Sequence, residues 1–308
     1  MSATTPVVQV RDLQKSYGRL EAVRGVTFNI DAGETFALLG PNGAGKSTVI
    51  EILEGYRARS AGDVSVLGVD PQQGSLAWKA RLGIVLQSGA ESGSATVAEQ
   101  LRHFARFYPH ARDVDEVIDA AGLRDKAKTR ISKLSGGQRR RVDVALGIIG
   151  RPELLFLDEP TTGFGPEARR QLWGVIQDLK AQGTTILLTT HDLDEATHLG
   201  DRAGIIADGE LIDTGSIDEI GGQQARVPLV RWRDADGTWH VERATEPARF
   251  VAHLVAARHG TEPDDLDVLR PTLEDVYLDL VRRHSATTRP DAATAPTDGF
   301  LDDRDIRA

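Results

Sequence analysis

Residues 36–48 read FALLGPNGAGKST, a buried-looking apolar run that feeds directly into a glycine-rich turn and then into a helical pattern. The order strand, glycine loop, helix is the context that the phosphate-binding spacing G-x-x-x-x-G-K-[ST] requires. Gly40, Gly43 and Gly45 let the backbone approach phosphate oxygens with its N–H groups, and the helix N-terminus beyond them adds positive potential. The loop as a whole, Gly40, Pro41, Asn42, Gly43, Ala44, Gly45, Lys46, Ser47 and Thr48, is therefore a candidate nucleotide cradle. In it Lys46 neutralises the β and γ phosphates, Ser47 offers a hydroxyl to Mg2+, and Thr48 lies near a phosphate oxygen.

Working outward, residues 154–160 read LLFLDEP, an apolar strand that delivers Asp158 and Glu159 at its end. Residues 184–190 read TTILLTT and end at His191, with Asp192 placed as the cap of a helix over 192–199. These runs lack alternation, as strands buried on both faces of a mostly parallel sheet should. Helices between them complete an α/β layout. Between the loop and residue 135 the pattern turns helical. Val97, Leu101, Phe104 and Tyr108 share a face, and Thr96 with Glu99 forms a capping box, so an inserted helical subdomain is expected over about 88–135. Residues 134–138 then read LSGGQ, and Arg139 to Arg141 follow as a basic run that reads as a solvated helix face.

Residues 7–39 read as short strands, and 205–214 as a hairpin turning at Asp208-Gly209. Gly221-Gly222 marks a boundary at the end of a unit spanning 1–220. In a smaller α+β unit over 223–283, Val230 with Trp232 and Trp239 with Val241 alternate around Asp236-Gly237. That predicts a second hairpin with both tryptophans in the core. Two helices follow, near 247–259 and around Leu273, Val276, Tyr277 and Leu280. Residues 284–308, rich in Ala, Thr, Asp and Pro, read as a disordered tail.

Composition narrows the function. The 308 residues are 40% hydrophobic and 27% charged, ordinary for a globular protein of this size. No apolar run reaches the roughly 18 residues of a membrane helix, so a membrane role calls for a separate partner. The N-terminus shows no basic stretch followed by an apolar core, so no secretory signal is visible. The absence of cysteine excludes disulfides and thiolate metal sites and fits a reducing cytosol. A net charge of -9 argues against broad, nonspecific binding to nucleic acid or anionic lipid, and no nucleic-acid partner is expected.

The phosphate loop, LSGGQ, LLFLDEP and HDLDEA occur in the order found in the ATP-binding cassette family, and residues 7–220 resemble it throughout. The resemblance implies a P-loop ATPase core that binds ATP and Mg2+, with Asp158 holding the metal through water and Glu159 orienting and deprotonating the attacking water. It also implies that Gln87, at the end of IVLQ, reaches Mg2+, that His191 meets the γ-phosphate, and that Tyr17 in KSYG stacks on adenine. Ser135, Gly136, Gly137 and Gln138 would grip ATP held by the P-loop of a second subunit. The chain would thus work as a homodimer or paired subunit. One position departs from the pattern: in TTGFGP, Gly165 stands where the family usually carries aspartate before proline. The expectation is a chain that folds and binds ATP with weakened communication between the two sites.

The segments VLGVDP at 66–71, TTGFGPEAR and RPTLEDVYLDLV at 270–281 resemble ATPase subunits of ABC-2 type exporters, the group that includes bacterial drug and antibiotic-resistance pumps. That resemblance implies a place at the cytoplasmic face of the cell membrane, energising export of a drug, antibiotic or lipid-like molecule through a separate transmembrane permease. Importer ATPases usually carry a longer β-rich C-terminal domain. Translation-associated relatives carry two cassettes, and DNA-associated ones a long coiled coil between P-loop and LSGGQ. None of those features is visible here.

Overall fold

A computed structural model describes residues 6–86, 94–234 and 236–288. The chain opens with β1 (Val8–Tyr17), β2 (Leu20–Ile30), β3 (Thr35–Leu39) and α1 (Lys46–Leu53). β4 (Ala61–Val66), α2 (Leu76–Lys79) and β5 (Leu82–Val85) follow. Next comes the helical stretch α3 (Val97–Ala105), α4 (Val114–Ala120) and α5 (Gly136–Ile148). β6 (Leu154–Asp158), α6 (Pro166–Ala181), β7 (Thr185–Thr190) and α7 (Leu193–Leu199) lead into the hairpin β8 (Arg202–Ala207) and β9 (Glu210–Ser216). The C-terminal part holds α8 (Gly222–Ala225), β10 (Leu229–Arg233), β11 (Trp239–Arg243), α9 (Pro247–Ala257), β12 (Asp264–Leu269) and α10 (Leu273–Thr288).

The main sheet has the order β5-β6-β7-β3-β8-β9, parallel except for β9, which pairs antiparallel with β8. Its central strands bury both faces, which is why their sequences are apolar runs. Phe36, Leu38, Leu154 and Phe156 point to one layer, with α1 and the antiparallel sheet β2-β1-β4; Ala37, Leu39, Leu155 and Leu157 point to the other, with α5, α6 and α7. Each such leucine or phenylalanine is worth about 1.5–3 kcal/mol on burial, and Phe36 adds a near-parallel stack on Phe28 at 5.1 Å. β1 and β2 are not the short strands expected: they run 10 and 11 residues. Register shifts around Asp12, whose φ is 47°, let the ladder continue past a break in the alternation.

The capping box at α3 forms as read, with Glu99 N–H donating to Thr96 Oγ1 and Thr96 N–H to Glu99 Oε2. Val97 and Leu101 are fully buried. Tyr108 lies beyond the helix end, and its ring occupies the space that a Cβ on Gly150 would need.

In the C-terminal part the antiparallel sheet β11-β10-β12 buries Val230 and Trp232 against Phe250, Val251 and Leu254 of α9. The sequence does not predict β12, because DDLDVL is too acidic to stand out as a strand. Trp239 departs from expectation and is 43% exposed. The register pairs it with Arg233, and Val241 with Arg231, so both face away from Trp232; Arg231 and Arg233 cover the Trp239 ring at 5.0 and 5.8 Å. α10 also differs from its expected place in the small unit. Leu273, Val276, Tyr277, Leu280 and Val281 lie on its inner side, and Leu273, Tyr277, Leu280 and Val281 join the core of the main sheet. The helix also runs to Thr288, into the stretch read as tail; 289–308 lie outside the described residues.

Candidate active site

The site forms where adjacent strands β6, β7 and β3 end together, so residues far apart in sequence meet at one sheet edge. β3 releases the glycine loop. A Cβ on Gly40 would stand 2.3 Å from the Ile206 carbonyl oxygen, so only glycine fits there. Gly45, the N-cap of α1, has φ 105° and ψ 0°, and only glycine takes that geometry without strain. The loop turns back on itself: Ala44 N–H donates to the Pro41 carbonyl, and buried Lys46 donates from Nζ to the carbonyls of Gly40 at 2.7 Å and Pro41 at 3.2 Å. Tyr17, Asn42, Gly43, Gly45, Lys46, Ser47, Thr48 and Glu159 line one cavity of about 440 Å3. Lys15 and Arg57 approach the Tyr17 ring at 5.0 and 5.3 Å.

β6 ends in the two carboxylates. Glu159 has φ 45°, a left-handed conformation that is costly outside glycine and that concentrates at functional sites. The turn aims its side chain back at the loop. Lys46 Nζ stands 3.5 Å from Oε1, His191 Nδ1 stands 3.4 Å from Oε2, and Thr162 Oγ1 donates to Oε2 at 3.0 Å. Burial alone would push this carboxyl up. The Thr162 hydroxyl, the Lys46 charge and His191 outweigh it, and Glu159 sits below its ordinary value, ionised and able to accept a proton. Asp158 accepts a hydrogen bond from the Thr189 hydroxyl, and the Glu159 N–H donates to Thr189 Oγ1 and to its carbonyl, each at 3.1 Å. Ser47 and Asp158 line a second cavity of about 760 Å3, which also holds Glu54. A hydroxyl and a carboxylate facing one space are hard oxygen donors that suit Mg2+, which prefers one or two carboxylates and phosphate oxygens to an all-protein cage.

LSGGQ takes a different position. Ser135 is the N-cap of α5, and its hydroxyl accepts from Gln138 N–H while Gln138 Oε1 accepts from Ser135 N–H, a complete capping box. Ser135, Gly136 and Gly137 line a third cavity of about 620 Å3 together with Thr162, Gly163, Phe164 and Gly165. They do not line the cavity of the glycine loop; Glu159 borders both. A Cβ on Gly137 would press on Ala168 of α6 at 3.1 Å, so the LSGGQ turn and the start of α6 touch. Gly165 caps α6 by backbone geometry alone, φ -73° and ψ 164°, with Pro166 at the first helical position. A Cβ there would meet nothing within 4 Å.

Gln87 lies outside the described residues. The basic run after LSGGQ is not uniformly solvated: Arg139 is exposed, but Arg140 is 6% exposed and donates to backbone carbonyls at the ends of β5 and β6. Sequence reasoning also missed Thr162, Thr189 and Glu54. Thr162 carried a signal, three residues after Glu159 in a turn. Thr189 carried none, because only the β6–β7 register brings it to Asp158.

The ABC transporter family profile matches residues 23–162. The chain is 42% identical over 306 residues to the Nod factor export ATP-binding protein I of Rhizobium meliloti (strain 1021), covering 91% of this chain and 89% of that protein. This chain belongs to the ABC transporter ATP-binding family. The ABC ATPase is also 32% identical over 301 residues to the daunorubicin resistance ATP-binding protein DrrA3 of Streptomyces coeruleorubidus, covering 89% of this chain and 95% of that one. A solved ATP-binding subunit of an ABC transporter superposes with a TM-score of 0.62 at 28% identity, over 69% of this chain and 90% of its own. A cassette solved as a dimer in a post-hydrolysis state with ADP and Pi shares the fold, with a TM-score of 0.61 over 68% of this chain and 98% of its own at 24% identity. No helix among the described residues is long and apolar enough to cross a membrane.

Proposed function

We propose that this ABC ATPase is the ATP-hydrolysing subunit of an exporter, energising release of a drug, antibiotic or lipid-like molecule through a separate membrane permease. The observation that carries the reading is the division of the site. The glycine loop, Asp158, Glu159 and His191 converge at one sheet edge, while Ser135 to Gly137 open on a second cavity that has only Glu159 in common with that of the loop. Two copies arranged head to tail would complete each site, LSGGQ of one closing on the nucleotide held by the other. Export rather than import is supported by the relatives, one named for Nod factor export and one for daunorubicin resistance.

The residues then divide the work. The N–H groups of residues 43–48 and Lys46 bind phosphate, and Tyr17 packs on the base. When Mg2+ is bound through Ser47, Asp158 and Gln87, it draws charge from the phosphate oxygens. Glu159, ionised and fixed by Thr162, takes the proton of the attacking water, and His191 stands beside it toward the γ-phosphate. Positioning and charge stabilisation are most of what phosphoryl transfer needs. The unit of β10, β11, α9 and β12 is an accessory domain in this reading. The test is ATP hydrolysis by the purified chain against Glu159→Gln, followed by ATP-dependent efflux on co-expression with the permease. Hydrolysis that survives Glu159→Gln would sink the catalytic assignment, and efflux independent of this chain would sink the exporter assignment.

A further inference from the structure

Arg140 is a buried cation on a helix whose flanking arginines lie nearer to solvent. It shares the inner face of α5 with Val144 and Gly147, both buried, at the spacing of one and two helical turns. Among the described residues its guanidinium hydrogen-bonds to backbone carbonyls. Nε donates to the Pro160 carbonyl at 3.1 Å, Nη2 to those of Asp158 at 2.8 Å and Glu159 at 3.5 Å, and Nη1 to that of Leu86. Three consecutive carbonyls of the turn that presents the carboxylates are thus held by one rigid fork, which also reaches the residue after β5. That turn contains the left-handed Glu159, a conformation that persists only where surrounding contacts over-determine it.

We infer that Arg140 is a positioning residue for hydrolysis. It clamps the peptide planes on either side of Glu159, and thereby ties the helix that begins at LSGGQ to the carboxylate of the same chain. The inference rests on the ATPase reading above. If LSGGQ of one copy engages the nucleotide of the other, a shift of α5 on that engagement passes through Arg140 to Glu159. Each site then reports its occupancy to the neighbouring one along a route separate from the loop at Gly165. Lysine keeps the charge but offers a single ammonium, which cannot span carbonyls on two strand ends.

The experiment compares the full chain with Arg140→Lys and Arg140→Met for thermal stability, affinity for a fluorescent ATP analogue, KM, kcat and Hill coefficient. The expected result is a folded Arg140→Lys protein with nucleotide affinity and KM near those of the unaltered chain. Its kcat should fall on the order of ten- to a hundredfold, as misplacement of a catalytic group does, with the Hill coefficient moving toward one. Arg140→Met should show the same split, since both lack the fork. An Arg140→Lys protein with unchanged kcat overturns the inference. So does one in which kcat falls only in step with nucleotide affinity and stability, since that is what a mere structural prop would produce. Glu159→Gln run alongside separates the two claims. If the unaltered chain hydrolyses ATP and Glu159→Gln does not, normal turnover by Arg140→Lys refutes the role of Arg140 alone.

Discussion

Replacing Glu54 by glutamine should make this protein more stable at alkaline pH and leave it nearly unchanged in mild acid. Glu54 follows α1, is 5% exposed, and lines the same cavity as Asp158. Burial, reinforced by the negative charges of Asp158 and Glu51, raises its pKa from 4.5 to about 8. At neutral pH it is therefore protonated in the folded chain and ionised in the unfolded one. The native state binds the extra proton, so stability falls as pH rises between these two values. The contribution is fully present below the unfolded pKa and gone above the folded one. Integrating across that window gives a loss of roughly 3 kcal/mol between about pH 5 and about pH 8. Glutamine mimics the neutral acid and has no such dependence. Urea unfolding of both proteins at the two pH values, without nucleotide and with a chelator to remove divalent cations, measures the difference. The gap in favour of Glu54→Gln should widen by about that 3 kcal/mol toward the higher pH. Two parallel pH profiles would refute the claim that Glu54 is held neutral.

Gly165→Asp enters open space at a backbone angle that any residue adopts, so it should stabilise α6 by a few tenths of a kcal/mol as a better N-cap. It should also raise the cooperativity of ATP hydrolysis, and an unchanged Hill coefficient would remove Gly165 from the coupling argument. Thr162→Val deletes a donor to Glu159, so the carboxyl should titrate at higher pH; the acid limb of the kcat profile should move up, with the plateau less affected. Phe156→Ala empties a fully buried position in the central strand and should cost about 3–5 kcal/mol in chemical denaturation, with nucleotide affinity of the folded protein retained.

The chemistry of this chain was legible where it depends on neighbours in sequence. FALLGPNGAGKST, LSGGQ and LLFLDEP each carry their spacing, caps and apolar runs within about a dozen residues, and local backbone geometry follows from such short-range preferences. The capping box at Thr96, the Asp192 cap and the Asp208-Gly209 turn formed as read for the same reason, and the box at Ser135 closes within the same short range. Tertiary structure decided what crosses the sheet. Thr189 serves Asp158 only because β7 lies beside β6, and α10 joins the main core because its apolar side finds α7 and the β8–β9 hairpin. Arg140 has the same composition around it as a solvated arginine, and Trp239 the same alternation as a core residue. Their fates were set by which partner strand or helix covers them. Side-chain period says that a residue has a face, whereas the packing of distant elements determines which face is inside, because burial is a property of the assembled layers.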